Sequence, residues 1–209
     1  QGLRLEAAQT IWRTSRVSGV VMALTFLATL FIPLQYAVFI GVALSIVLYV
    51  ARQSNKVIVT WIVPVAGGLP IERPAPKELP SRQFTMLQIY GSLFFAAAKS
   101  LEEMLPTVDN STRAAVALGL RGRAEIGSTF ITVLQRYAEA LQARDSKLML
   151  VGVDPRVLDQ LARTGLLQRI GEENVFLATS QVGEAMNQAA AAAYAWLGEP
   201  PASAELPAA

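Results

Sequence analysis

Thirty-five consecutive residues between Arg16 and Arg52 carry no charge, with Pro33 near their midpoint and basic residues on both sides. A straight helix over that run would be about 52 Å long at 1.5 Å per residue. The hydrocarbon core of a bilayer is only about 30 Å thick, so one span would waste much of it. Folding at Phe31-Ile32-Pro33-Leu34-Gln35-Tyr36 gives two shorter helices instead, about 17–32 and 36–51. Pro33 lacks an amide donor and disfavours the helical conformation at Ile32, while Gln35 and Tyr36 are the polar side chains nearest the bend. A buried helical pair in a soluble protein would show charges on one face, and neither arm has any. The expectation is a membrane hairpin.

The flanks set its direction. Arg13 and Arg16 precede the first arm; Arg52 and Lys56 follow the second. Basic residues favour the cytoplasmic side, so both ends lie inside and the Pro33 turn points outward. Trp12 and Tyr49 fall near the edges, where amphipathic rings favour the headgroup region. Ala37, Gly41 and Ser45 recur every fourth residue, as do Gly19 with Ala23 and Thr25 with Thr29. Small side chains at that spacing let helix backbones approach closely, so these are helix-packing candidates. The partners they imply are the lipid bilayer and further transmembrane helices.

Composition agrees. The chain is 53% hydrophobic with net charge +2 and a mean hydropathy of +0.38. Residues 1–56 hold five basic side chains against Glu6, and the remainder holds thirteen basic and fifteen acidic ones. A basic membrane collar and a near-neutral soluble domain follow, with no nucleic-acid partner. The chain opens on Gln1 without a signal-peptide pattern, and the Leu3, Leu5, Ala8, Trp12 stretch reads as the tail of something longer upstream.

Cysteine and histidine are both absent. That removes disulfides, thiolate nucleophiles, the commonest metal ligands and the usual general base. Glu102-Glu103 and Glu172-Glu173 are sequence neighbours that point to different sides of a helix, as on a solvated face. No glycine-rich phosphate loop of the dinucleotide or P-loop type is present. An enzyme is not expected, nor a cofactor or a metal.

From Val57 the periodicity changes. Val57 to Val63 is rich in β-branched residues and reads as a strand, belonging either to a sheet or to a membrane-proximal connector. Pro64 to Ser81, with Pro70, Pro74, Pro76, Pro80 and Gly67-Gly68, reads as a linker or long connection. Residues 57–81 are thus a strand plus a proline-rich connector. Strands and helices then alternate over 82–198. Phe84–Tyr90 alternates as a half-buried strand, and Phe94, Ala98, Leu101 and Leu105 repeat at helical spacing up to Pro106. Ala114–Leu120 and Lys147–Val153 are apolar runs suited to buried strands, with a helix through Phe130, Leu134, Tyr137 and Leu141 between them. Asp154 and Pro155 supply an N-cap and first-turn proline for a helix that Gly165 closes. Val175–Ala178 is the last strand. Ser180 is the expected cap of a terminal helix facing inward through Val182, Met186, Ala189, Ala193 and Trp196. Such alternation implies an α/β domain with a mostly parallel sheet. Residues 199–209 read as a disordered tail.

Gly152-Val153-Asp154-Pro155, Leu158 to Leu161, Gly165-Leu166 and Ile170 to Phe176 resemble the STAS domain at the C-terminus of SulP-family anion transporters. Tyr90 to Ala96 is similar to that family's first strand-to-helix turn, and the proline-broken hairpin resembles its last two membrane helices. The resemblance implies an α-helical membrane hairpin followed by an α/β STAS domain with a mixed sheet. It also implies a multi-pass inner-membrane protein with its STAS domain in the cytoplasm, a homodimer, and a cytoplasmic regulatory protein or nucleotide as partner. The family's anion site lies in earlier helices, so no substrate-binding residue carries over, and sulfate, bicarbonate and dicarboxylates all remain open. The alternative is a membrane-tethered STAS module that binds a regulatory partner and transports nothing.

One local constellation stands out: Glu125-Ile126-Gly127-Ser128-Thr129. In bacterial regulatory STAS domains the matching position is a phosphorylated serine that follows an aspartate. Ser128 matches the serine, but Gly127 replaces the aspartate, which counts against a switch. The favoured reading makes Ser128 the cap of a Thr129–Leu141 helix. Gly127, Ser128 and Thr129 are also a candidate anion or phosphate site, through the helix-start amides with Arg121 or Arg123 nearby.

Overall fold

The computed structural model describes residues 23, 26, 27, 33–54, 57–65, 69–91 and 97–198. The chain divides into two compact units, Gln1–Gln53 and Ser54–Ala209.

In the first unit, helix α1 runs Leu34–Ser54 and starts directly after Pro33, whose carbonyl accepts the Tyr36 amide at 2.9 Å. It begins two residues before the expected second arm and continues through Arg52, Gln53 and Ser54. Its uncharged stretch, Leu34 to Ala51, is 18 residues, about 27 Å of helix. Among the described residues no helix is long and apolar enough to cross a membrane. The first arm, 17–32, lies outside the described residues except Ala23, Phe26 and Leu27, which are helical. Val38, Phe39, Ile40, Val42, Ile46 and Val47 are all exposed along α1.

The second unit is built on a six-stranded mixed sheet: β1 (Ile58–Val63), β2 (Ile71–Pro74), β3 (Phe84–Tyr90), β4 (Ala115–Gly119), β5 (Lys147–Val153) and β6 (Val175–Leu177). Their order is β2-β1-β3-β4-β5-β6. β1 is antiparallel to both neighbours, and β3 to β6 are parallel. The helices are α2 (Ala97–Met104), α3 (Ser128–Gln142), α4 (Pro155–Arg163), α5 (Leu166–Ile170) and α6 (Glu184–Leu197).

Pleating sends alternate residues to opposite faces. Val116 and Leu118 of β4, with Leu87, Ile89, Leu148 and Leu150, meet Phe130, Leu134 and Leu141 of α3 and Leu161 of α4. Ala115 and Ala117 point the other way, with Met86, Met149 and Val151, onto Ala185, Ala189 and Ala193 of α6. Burying a side chain such as Phe130 contributes about 2–3 kcal/mol. β4 is buried on both faces, as its uninterrupted apolar run implies.

One open choice is decided and two expectations change. β1 is a full member of the sheet, paired with β3 from Ile58–Tyr90 to Ile62–Met86. The proline-rich connection contains a strand, β2, which no alternation announces. Its charges and Pro74 suit an edge, where a missing donor costs little. Ser180 does not cap the last helix: the chain turns through 180–183, and Gly183 at φ 95° begins α6 three residues later. That delay leaves Val182 86% exposed and brings Ala185 and Leu197 onto the buried face. Asp154 behaves as expected, its Oδ1 accepting the Arg156 amide at 2.9 Å ahead of Pro155. Gly165, at φ 75°, follows the end of α4.

Candidate functional site

In open α/β sheets, ligand-bearing loops gather at the carboxyl ends of parallel strands. Here that edge joins Gly91 after β3, residues 120–127 after β4, Asp154 after β5 and Thr179 after β6. Two arginines from the β4 loop lace it together. Arg123 donates from Nη1 to the Gly91 carbonyl and from Nη2 to the Ile89 carbonyl, both at 2.8 Å. Burial pushes this guanidinium below its ordinary pKa. Arg121 reaches the opposite way, its Nη2 donating to the Thr179 carbonyl at 2.8 Å. The loop is also fastened to α4, where Gln160 Oε1 accepts the Ile126 amide at 3.0 Å.

Gly152 makes room for Arg121. It sits at φ 71° in an irregularity of β5 between Val151 and Val153. A Cβ there would lie 2.9 Å from the Cβ of Arg121. On the far side, the Tyr90 hydroxyl donates to Glu72 Oε1 and ties β3 to β2. That bond, then burial and the Glu72 charge, raise the Tyr90 pKa.

The structure places Gly127, Ser128 and Thr129 together at the start of α3. Gly127 is the N-cap residue, at φ −71° and ψ 152°, with no side-chain cap. Ser128 is already the first helical residue, so the expected serine cap is not formed. The helix starts one residue earlier than its hydrophobic period indicates, and glycine occupies the position where a hydroxyl would act. Ser128 is exposed, and its carbonyl accepts the Thr132 hydroxyl at 3.1 Å. Arg121 and Arg123, expected beside an anion, donate instead to backbone carbonyls. Sequence reasoning located both arginines but not those acceptors, which are distant in sequence and close only through strand order. Ala37, Gly41 and Ser45 all lie in α1, in the other unit. Among the described residues no cluster of three acidic side chains is placed to hold a metal ion.

Residues 77–182 match the STAS-domain family. The chain belongs to that family. Beyond the matched span, the STAS sheet here also includes β1 and β2, and α6 covers its second face. A protein named "Putative sulfate transporter YvdB" from Bacillus subtilis (strain 168) is 27% identical over 176 residues, which are 83% of this chain and 31% of that protein. The murine Solute Carrier 26 family member A9 anion transporter, solved inward-facing, shares the fold with a TM-score of 0.62 at 18% identity, over 90% of this chain and 30% of that one. A further structure of SLC26A9 gives 0.65 at 15% identity, over 92% and 32%. The chain spans under a third of the length of each of these relatives.

Proposed function

We propose that this chain is the C-terminal portion of a SulP-type secondary active transporter for inorganic anions of the sulfate or bicarbonate class. Its STAS domain acts as the cytoplasmic regulatory and dimerising part and has no enzymatic role. The order of its parts carries this reading: a helix uncharged from Leu34 to Ala51 and bearing exposed apolar side chains, then a STAS sheet, in a chain homologous to a protein named as a sulfate transporter. A helix apolar on every side belongs in lipid or inside a helix bundle. With a first arm over 17–32 it forms a hairpin in the inner membrane, and Ala37, Gly41 and Ser45 pack against helices that precede it. Gly127, Ser128 and Thr129 are the proposed regulatory contact, through amides that α3 leaves unpaired at its start.

The test is uptake of labelled sulfate and bicarbonate into vesicles holding the complete gene product. Uptake should fall when residues 57–198 are deleted with membrane insertion intact. Full uptake without them would sink the regulatory assignment, and no anion uptake by the intact protein would favour the tethered module.

A further inference from the structure

Arg82, Arg113 and Asp145 are the non-glycine residues with left-handed backbone among those described, at φ 57°, 52° and 51°. Each lies two positions before a parallel strand, at the edge opposite the arginine-laced loops. Backbone bonds join the three turns. Arg82 donates its amide to the Thr112 carbonyl at 3.1 Å, Arg113 to Arg144 at 3.2 Å, and Lys147 to Ala114 at 2.8 Å. Adjacent strands are about 4.8 Å apart, so Arg82, Arg113 and Arg144 form a row about 10 Å long across the starts of β3, β4 and β5. All three are exposed, and Lys147 beside them is partly so.

The described ion pairs are Arg136–Glu102 and Arg169–Glu139. Among the described residues none of the four cations in the row has a carboxylate within ion-pair range, and one acid, Asp145, shares their turns. Arg113 and Lys147 lie over the Trp196 ring, 5.4 Å and 5.0 Å from its centroid, and Arg113 Nη2 donates to the Trp196 carbonyl at 3.2 Å, which leaves its other guanidinium N–H groups for a ligand. Residues 57–198 contain thirteen basic and thirteen acidic side chains. The concentration of four cations here is therefore an arrangement, not a consequence of composition. Like charges on neighbouring strands repel, and a bound anion would relieve that repulsion.

We propose that this edge binds a soluble anion carrying several phosphate groups, with Arg82, Arg113, Arg144 and Lys147 as donors and Trp196 holding two of them in place. Guanidinium groups match phosphate oxygens in a bidentate fork, and a row this long fits linked phosphates better than one small oxyanion. A lipid headgroup offers the same phosphate oxygens, and the vesicle arm of the experiment separates the two sources; the chain enters the sheet at the other edge, where Ile58 pairs with Tyr90. The seven residues of β3 put the two edges about 20 Å apart. The site is separate from the Gly127–Thr129 contact, so each can fail without the other.

Inorganic tripolyphosphate is titrated into the full chain in neutral detergent, followed by calorimetry and by the Trp196 indole N–H resonance. Saturable binding that shifts this resonance is expected. The double variant Arg82→Gln/Arg144→Gln should bind about tenfold more weakly for each arginine removed, at an unchanged melting temperature. Neither side chain makes a described hydrogen bond, so folding is not at stake, and the double lysine variant should retain binding. No binding at millimolar tripolyphosphate overturns the proposal, as does equal affinity in the glutamine variant. Capture by phosphatidylserine vesicles without tripolyphosphate binding overturns it in favour of a lipid surface.

Discussion

Replacing Arg123 by alanine tests whether the carboxyl edge is held by side-chain bonds to backbone. Its guanidinium makes two bonds at 2.8 Å, but their acceptors differ. Ile89 is 2% exposed and its carbonyl has, besides Arg123, only a long 3.4 Å bond from Gln88 Nε2 among the described donors, so it cannot exchange the lost donor freely for water. Gly91 is exposed, and water replaces the arginine there at little cost. A charge-assisted bond to a shielded acceptor contributes about 1.5–3 kcal/mol, and one at a wet surface well under 1 kcal/mol. The sum, with some lost packing of the stem, is about 2–3 kcal/mol.

Urea unfolding of residues 54–198, followed by circular dichroism, reads this directly. The midpoint should fall with an unchanged slope, and the melting temperature should drop by about 4–10 °C for a domain this size. Lysine, with one compact ammonium in place of a fork, should recover at most half of the loss. A loss below about 0.5 kcal/mol for alanine would refute the reasoning, because the Ile89 carbonyl would then be satisfied without Arg123.

Thr85 is fully buried and its hydroxyl has no partner among the described residues, so Thr85→Val should stabilise the domain by about 1 kcal/mol in urea titration; destabilisation would mean the hydroxyl is bonded. Tyr137 is buried, donates to the Pro106 carbonyl at 3.1 Å, and has its pKa raised well above 10 by burial. The unfolded chain therefore loses this proton first, and the stability it confers is present below about pH 10 and declines above it, by up to about 1.4 kcal/mol per pH unit. Tyr137→Phe should flatten that decline in unfolding curves between pH 9 and about 11, and an unchanged slope would exclude the residue as its source. Gly152→Ala forces a side chain into left-handed backbone against Arg121 and should cost about 1–3 kcal/mol by the same titration; a neutral result would show that β5 can straighten there.

The sheet was legible where burial imposes a pattern. Lys147–Val153 and Phe84–Tyr90 appear with the bounds their runs indicate, because one-sided or two-sided burial leaves a period of two or an unbroken apolar block. β2 was not legible, because an edge strand of Ile-Glu-Arg-Pro buries almost nothing and so has no reason to alternate. Helix starts were legible only where a side chain does the capping. Asp154 announced α4, whereas α3 and α6 begin at Gly127 and Gly183, where backbone alone sets the start and a nearby serine misleads.

The same distinction explains the candidate site. Glycine and serine before a helical period located the start of α3, and the two arginines before it were visible as charges. Their partners were not, since the carbonyls of Ile89, Gly91 and Thr179 belong to no side-chain pattern. Placed in the structure, these bonds change what the arginines can do. Arg123 has both terminal nitrogens on carbonyls at 2.8 Å and would have to break those bonds before gripping an anion in a fork, and Arg121 has Nη2 engaged in the same way. Any ligand at Gly127–Thr129 therefore rests on helix amides alone, or must unlace the edge as it binds. Unlacing would couple binding to Gly91 after β3 and Thr179 after β6, the two positions that Arg123 and Arg121 hold. A phosphate bound at α3 would then be reported as a shift of the Gly91 and Thr179 carbonyl-carbon resonances, the groups that lose a donor. Binding that leaves both unchanged would confine the site to the α3 amides.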